Sequence, residues 1–101
     1  MLAALCCPQI SYADGLTGAA FLEWDAERQA NYLQTQLVMA GSIAARVKPE
    51  LSECLGKSFF AENGGISDVG LKGILENIRQ FPDFHPSSVL VVTMESDCGS
   101  F

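Results

Sequence analysis

The chain has 101 residues, 49% of them hydrophobic, so it can bury a core but has room for only one domain. Six Lys and Arg against twelve Asp and Glu give a formal net charge of −6. This acidic balance repels phosphate backbones and anionic headgroups, which argues against binding to nucleic acid or to a membrane surface.

The N-terminal segment is similar to the end of a secretory signal peptide. Residues 1–7 are apolar, and residues 11–13 (Ser-Tyr-Ala) offer a small-x-Ala cleavage site. We therefore expect residues 1–13 to be a signal-peptide remnant, and residues 14–101 to form a single helical domain in the periplasm or outside the cell. The segment lacks the Lys or Arg that normally opens a signal peptide, so a cytosolic tail is the alternative.

The four cysteines divide between these two parts of the chain. Cys6 and Cys7 lie in the expected leader, and whether they belong to the mature protein stays open. Cys54 and Cys98 remain as an even pair in an oxidising compartment, where a small domain benefits from a covalent cross-link. We predict a disulfide between Cys54 and Cys98.

A long helix is predicted to follow a short irregular segment. Residues 16–23 show no regular pattern and are expected to be coil. Asp25 is placed as an N-cap, because apolar residues recur over Ala26–Val47 with the spacing of one helical face. Gly41 lies among small residues of this helix, which predicts the close approach of a neighbouring helix.

Two shorter helices are predicted next. Pro49 suits the first turn of a helix, and residues 50–60 carry apolar side chains on one face. A turn at residues 62–65 separates this helix from a third, for which Ser67 is the expected N-cap and the Phe-Pro pair at 81–82 the end.

The last segment, residues 87–98, is the ambiguous one. Its β-branched run at residues 89–93 favours a strand by propensity alone. A lone strand would have no partner in a helical chain, and Pro86 and Gly99 suit the two ends of a helix. The predicted fold is therefore all-α, a small four-helix domain cross-linked by one disulfide.

Catalytic and metal-binding chemistry finds little support. The only histidine is His85, which excludes metal sites and acid–base schemes that need two histidines. We expect His85 to be a cap or a packing residue, with pH sensing as the alternative. A thiol enzyme would need Cys54 or Cys98 beside His85. The carboxylates and glycines lack the spacing of calcium or phosphate loops. We expect no catalytic residues, no metal, no cofactor and no enzymatic activity.

The layout from Tyr32 to Cys98 resembles the Rap1a/Tai immunity proteins. It shares with them a long helix, a cysteine, a short helix, a Pro-containing loop and a last helix ending in a second cysteine. Residues 74–98 (ILENIRQFPDFHPSSVLVVTMESDC) carry most of this resemblance. It implies a small helical periplasmic protein that neutralises a peptidoglycan-cleaving effector of type VI secretion.

A looser resemblance is to acid-stress periplasmic chaperones of the HdeA type, which are also small, helical and cross-linked by one disulfide. We therefore expect an exported protein-binding domain, an immunity-like inhibitor of a secreted effector. The alternatives are an acid-stress chaperone and a structural domain without enzymatic activity. A chaperone would loosen and expose apolar surface near about pH 2–4, whereas a rigid inhibitor would not.

Four residues are not assigned to the apolar faces of the predicted helices: Trp24, Phe60, Phe84 and His85. We expect the protein partner to bind at these residues. Aromatic side chains commonly supply the central contacts of an interface. The loop at residues 82–86 is favoured because its two prolines hold it stiff, so little entropy is lost on binding. Packing against the core is the alternative for Trp24 and Phe84. The oligomeric state and the identity of the partner stay open.

Overall fold

A computed structural model describes residues 15–101, which hold five helices. They are α1 (Gly18–Leu22), α2 (Ala26–Val47), α3 (Pro49–Phe59), α4 (Asp68–Gln80) and α5 (Pro86–Cys98). The all-α class is therefore confirmed. The expected signal segment at 1–13, with Cys6 and Cys7, lies outside the described residues. No helix in the described part is long and apolar enough to cross a membrane.

Helix α2 has the bounds that the sequence predicts. The Asp25 carboxylate accepts a hydrogen bond from the Arg28 N–H at 2.8 Å, which satisfies a backbone donor at the start of the helix. Glu27 in the first turn and Arg46 in the last both complement the helix dipole. After one residue, Lys48, the chain reverses into α3, and the Ser52 hydroxyl donates to the Gly41 carbonyl at 3.1 Å.

Helices α4 and α5 also follow their predicted ends. The Ser67 hydroxyl accepts from the Gly70 N–H at 3.0 Å at the start of α4. Pro86 lies in the first turn of α5, and Gly99 ends this helix with φ +90°, a conformation that favours glycine. The prediction that the β-branched C-terminal segment is helical is thus confirmed.

The prediction of four helices, with residues 16–23 as coil, is wrong. The Thr17 hydroxyl caps α1 by accepting from the Ala20 N–H at 3.2 Å. A five-residue helix has little stability of its own, so it forms here because it docks on α4. A Cβ atom on Gly18 would lie 3.0 Å from Ile78 Cγ2, which shows how closely the two backbones approach. This tertiary contact leaves no periodic signal in the local sequence.

All five helices contribute to one apolar core. Its fully or nearly fully buried side chains are Phe21, Leu33, Leu37, Ala40, Ala44, Leu51, Leu55, Phe59, Ile74, Ile78, Val89, Leu90 and Met94. Cys54 in α3 and Cys98 at the end of α5 form the predicted disulfide, with Cα atoms 5.7 Å apart. The cross-link thus fixes the C-terminal helix to the centre of the chain.

Candidate functional site

An open groove of about 600 Å³ lies between α4 and α5, beside the loop that joins them. We call it the α4–α5 groove. Its lining includes Asn77, Phe81, Phe84, Ser88, Val92 and Ser96. Most of these side chains lie on the flanks of the two helices or in the connecting loop, away from the core side. The groove therefore lies where the flanks of α4 and α5 that face away from the core stay uncovered.

Two phenylalanines form the apolar end of the groove. Phe81 and Phe84 keep 47% and 57% of their surfaces exposed, and their ring centroids lie 5.9 Å apart at a tilt of 48°. Val92 of α5 faces the same space and is 62% exposed. These three side chains offer another molecule a concave apolar surface to cover.

The backbone of the loop that carries Phe84 is firmly held. Gly18 N–H donates to the Phe84 carbonyl at 2.8 Å, and Ala19 N–H donates to the Pro82 carbonyl at 3.0 Å. Within the loop, Phe84 N–H donates to the Phe81 carbonyl at 3.2 Å. Helix α1 therefore holds the backbone of the loop that carries Phe84.

A hydrogen bond crosses the floor of the groove. The Asn77 amide donates to the Thr93 hydroxyl at 2.9 Å, and that hydroxyl donates to the Val89 carbonyl at 2.9 Å. Thr93 is buried, so this bond joins α4 to α5 out of reach of most solvent. It fixes the width of the groove at its midpoint.

Beyond this bond the groove continues into a smaller space of about 290 Å³, which shares Asn77 and Thr93 with the first. Glu76 of α4 and Asp97 of α5 line it, and we call this part the acidic end of the groove. No Lys or Arg is among the described residues that line either part. The groove therefore has two aromatic side chains at one end, and two carboxylates beside the exposed Val69 at the other.

Two of the four predicted partner-binding residues lie at this groove or next to it. Phe84 is exposed in its apolar end, so it does not plug the core. His85 is half-buried, and its Nδ1 accepts from the Ser87 N–H at 3.0 Å, which makes it the N-cap of α5. His85 thus has the cap role that we expected first, and it starts α5 directly after Phe84 in the chain.

The other two candidates lie away from the groove. Trp24 is half-buried, with ring centroids 5.0 Å from Phe21 and 5.5 Å from Tyr32, and the Arg28 guanidinium lies 4.0 Å from its ring centroid. Phe60 is half-buried against the core at the end of α3. The structure therefore does not bring Trp24 or Phe60 together with Phe84.

Sequence reasoning missed two lining residues, Phe81 and Val92. The sequence marks Phe81 only as the end of a helix, and Val92 only as part of a β-branched run. A signal was available, because Ser88, Val92 and Ser96 recur every fourth residue on a flank of α5 that the core does not use. The missing information was which helix stands beside that flank.

Across 15–101 no group of three or more His, Cys, Asp or Glu is placed to hold a metal ion. Every buried side-chain nitrogen and oxygen in this range has a hydrogen-bond partner. The α4–α5 groove is thus the feature that points most directly to a function.

The chain matches no family model, no curated protein and no solved structure.

Proposed function

We propose that this chain is a small protein-binding domain whose partner occupies the α4–α5 groove. The observation that carries the proposal is the exposed pair Phe81 and Phe84. The domain buries Phe21 and Phe59 almost completely but leaves this pair in contact with water. Covering about 100 Å² of such apolar surface is worth roughly 2.5 kcal/mol, so a partner that covers it gains affinity.

The rigidity of the site supports the same conclusion. Pro82 and Pro86 restrict the loop, and α1 holds its carbonyl groups in place. A surface that is already ordered loses little entropy on binding, which favours tight association with a partner of matching shape. At many protein interfaces a few central side chains carry most of the binding energy, and aromatic residues are frequent among them.

We further propose that the domain acts outside the cytosol, as an immunity-like inhibitor of a secreted effector. The disulfide supports export, because such cross-links persist mainly in oxidising compartments. The order of α4, a Pro-containing loop and α5 ending at Cys98 is the feature in which the sequence resembles the immunity proteins.

The proposal is tested by selection from a displayed library of random peptides and small folded fragments. The wild-type domain should enrich binders, and replacing Phe84 by Ser should abolish their binding. Met39→Ser is the matched control, because Met39 is exposed on α2 and does not line the groove. A selection that gives no binder, or only binders that Phe84→Ser retains, contradicts the proposed site.

A further inference from the structure

Helix α4 carries two glycines, and the packing of the described residues explains only one. A Cβ atom on Gly70 would lie 2.9 Å from Ser67 Oγ and 3.0 Å from Phe59 Cα, so the fold requires glycine there. A Cβ atom on Gly73 would meet no described atom within 4 Å. Glycine inside a helix is less favourable than alanine, so Gly73 destabilises the isolated domain. Cβ atoms on Gly41 and Gly56 would also meet no described atom at this distance, but of the three only Gly73 lines the groove.

Gly73 lies in the wall of the groove, next to Asn77 and Glu76. Because it has no side chain, the backbone of α4 is open to the groove at this point. A second helix or an extended segment can therefore approach α4 closely here, as small residues allow at other contacts between backbones. The position of Gly73 is explained if this face of α4 is covered by a partner.

The charge of the groove selects the kind of partner. Glu76 and Asp97 line the acidic end with no Lys or Arg among the described lining residues, and the whole chain carries a formal charge of −6. A second copy of this chain would bring the same excess of negative charge, so self-association is disfavoured. A segment with Lys or Arg would instead be attracted.

The length of the groove sets the spacing on the partner. Along α4, Phe81 lies eight residues after Gly73 and five after Glu76, about 12 Å and 8 Å at 1.5 Å per residue, so the two ends are about 10 Å apart. This stretch leads from the acidic end to the start of the Phe81–Phe84 pair. Side chains seven residues apart on a helix lie on one face, separated by about the same 10 Å.

We infer that the α4–α5 groove binds a basic amphipathic helix of a partner protein. In this complex an apolar side chain packs on Phe81 and Phe84, and a Lys or Arg about two turns away lies between Glu76 and Asp97. The partner backbone passes over Gly73. The inference rests on the proposed function and specifies the class of segment that the groove recognises.

The test uses two synthetic helix-stabilised peptides as probes. Each has a leucine and, about seven residues later on the same face, either a lysine or a glutamate. We expect the lysine peptide to shift the amide resonances of Gly73, Asn77 and Val92 in a nitrogen-15 NMR titration. The glutamate peptide should bind at least about tenfold more weakly.

Three variants make the test sharper. Gly73→Leu should weaken binding of the lysine peptide at least about tenfold while the melting temperature stays equal or rises, because a Cβ atom there meets no described atom within 4 Å and leucine favours a helix over glycine. Glu76→Lys should reverse the preference toward the glutamate peptide. Met39→Ser, outside the groove, should leave both affinities unchanged.

Equal binding of the two peptides, or shifts confined to residues outside the groove, would overturn the inference. Failure of both peptides to bind would overturn it as well. The proposed function stands in each of these cases if the library still yields binders that need Phe84, because they show a groove with a different specificity. It falls together with the inference only if no selected binder depends on Phe84.

Discussion

The backbone N–H of Gly18 donates to the carbonyl of Phe84 at 2.8 Å, so the first helix is bonded directly to the loop between the last two. The two residues are 66 positions apart in the chain. Helix α1 would be too short to persist alone, and the loop has no periodic structure of its own. Each therefore depends on the other, and the shape of the α4–α5 groove depends on both.

Replacing Gly18 by Ala tests this dependence. The new Cβ atom would lie 3.0 Å from Ile78 Cγ2 and 3.2 Å from the Phe81 carbonyl oxygen, so α1 must shift. We expect a loss of about 1–3 kcal/mol in the free energy of unfolding, with faster amide exchange at Ala19. Gly56→Ala is the control, since its Cβ atom meets no described atom within 4 Å. It should gain up to about 1 kcal/mol, and a loss of stability there would contradict the geometry.

Two phenylalanines of very different burial are expected to separate binding from stability. Phe84→Ala removes an exposed ring, so the melting temperature should change by no more than about 3 °C. Phe21→Ala removes a side chain with 0% exposure and should cost about 3–5 kcal/mol. Thermal and urea unfolding measure both effects. A large loss of stability in Phe84→Ala would mean that this ring belongs to the core after all.

The disulfide should supply a large share of the stability. Its half-cystines are separated by 44 positions, and closing such a loop is worth about 4 kcal/mol in the chain-entropy model. We expect this loss in urea unfolding when Cys54 and Cys98 are both replaced by Ala. All arms carry Cys6→Ser and Cys7→Ser, so that no other thiol interferes. A reductant should destabilise the parent protein, which keeps the disulfide, and leave the double-alanine variant unchanged. Equal urea midpoints for the two proteins without reductant would refute the expected loss.

The cap at His85 gives a matched pair of substitutions. His85→Ala removes the acceptor of the Ser87 N–H and should lower the free energy of unfolding by about 1 kcal/mol. His85→Asp should keep most of that stability, because a carboxylate accepts the same bond and suits the start of a helix. If the Ala and Asp variants have equal free energies of unfolding, the imidazole stabilises α5 by some contact other than the cap.

Local signals were sufficient for the longer helices. Asp25 and Ser67 each cap the helix that follows, and both act within a few residues of the chain. The apolar stripe of α2 repeats over 22 residues, which no other structure explains. The cysteine pair could be predicted because only two cysteines lie beyond the expected leader.

Apart from the disulfide, features that depend on two distant segments could not be predicted. Helix α1 exists because Gly18 fits against Ile78, and the groove exists because the flank with Val92 faces the loop with Phe84. Gly41 shows both sides of this: α3 does approach there, with the Ser52 hydroxyl donating to the Gly41 carbonyl at 3.1 Å, yet a Cβ atom at Gly41 would meet no described atom within 4 Å. Composition indicates that a small residue is present, but only the fold shows whether the space is used.

Helix α5 also contains a segment whose composition is typical of aggregation-prone strands. Residues 89–94 (Val-Leu-Val-Val-Thr-Met) carry no charge, proline or glycine and favour an extended backbone, which is the signature of segments that stack into cross-β fibrils. In the folded domain this segment is helical, bracketed by the cap at His85 and the cross-link at Cys98. A chain that loses the cross-link releases this segment from one of its two restraints. We therefore expect the disulfide to oppose self-assembly as well as unfolding.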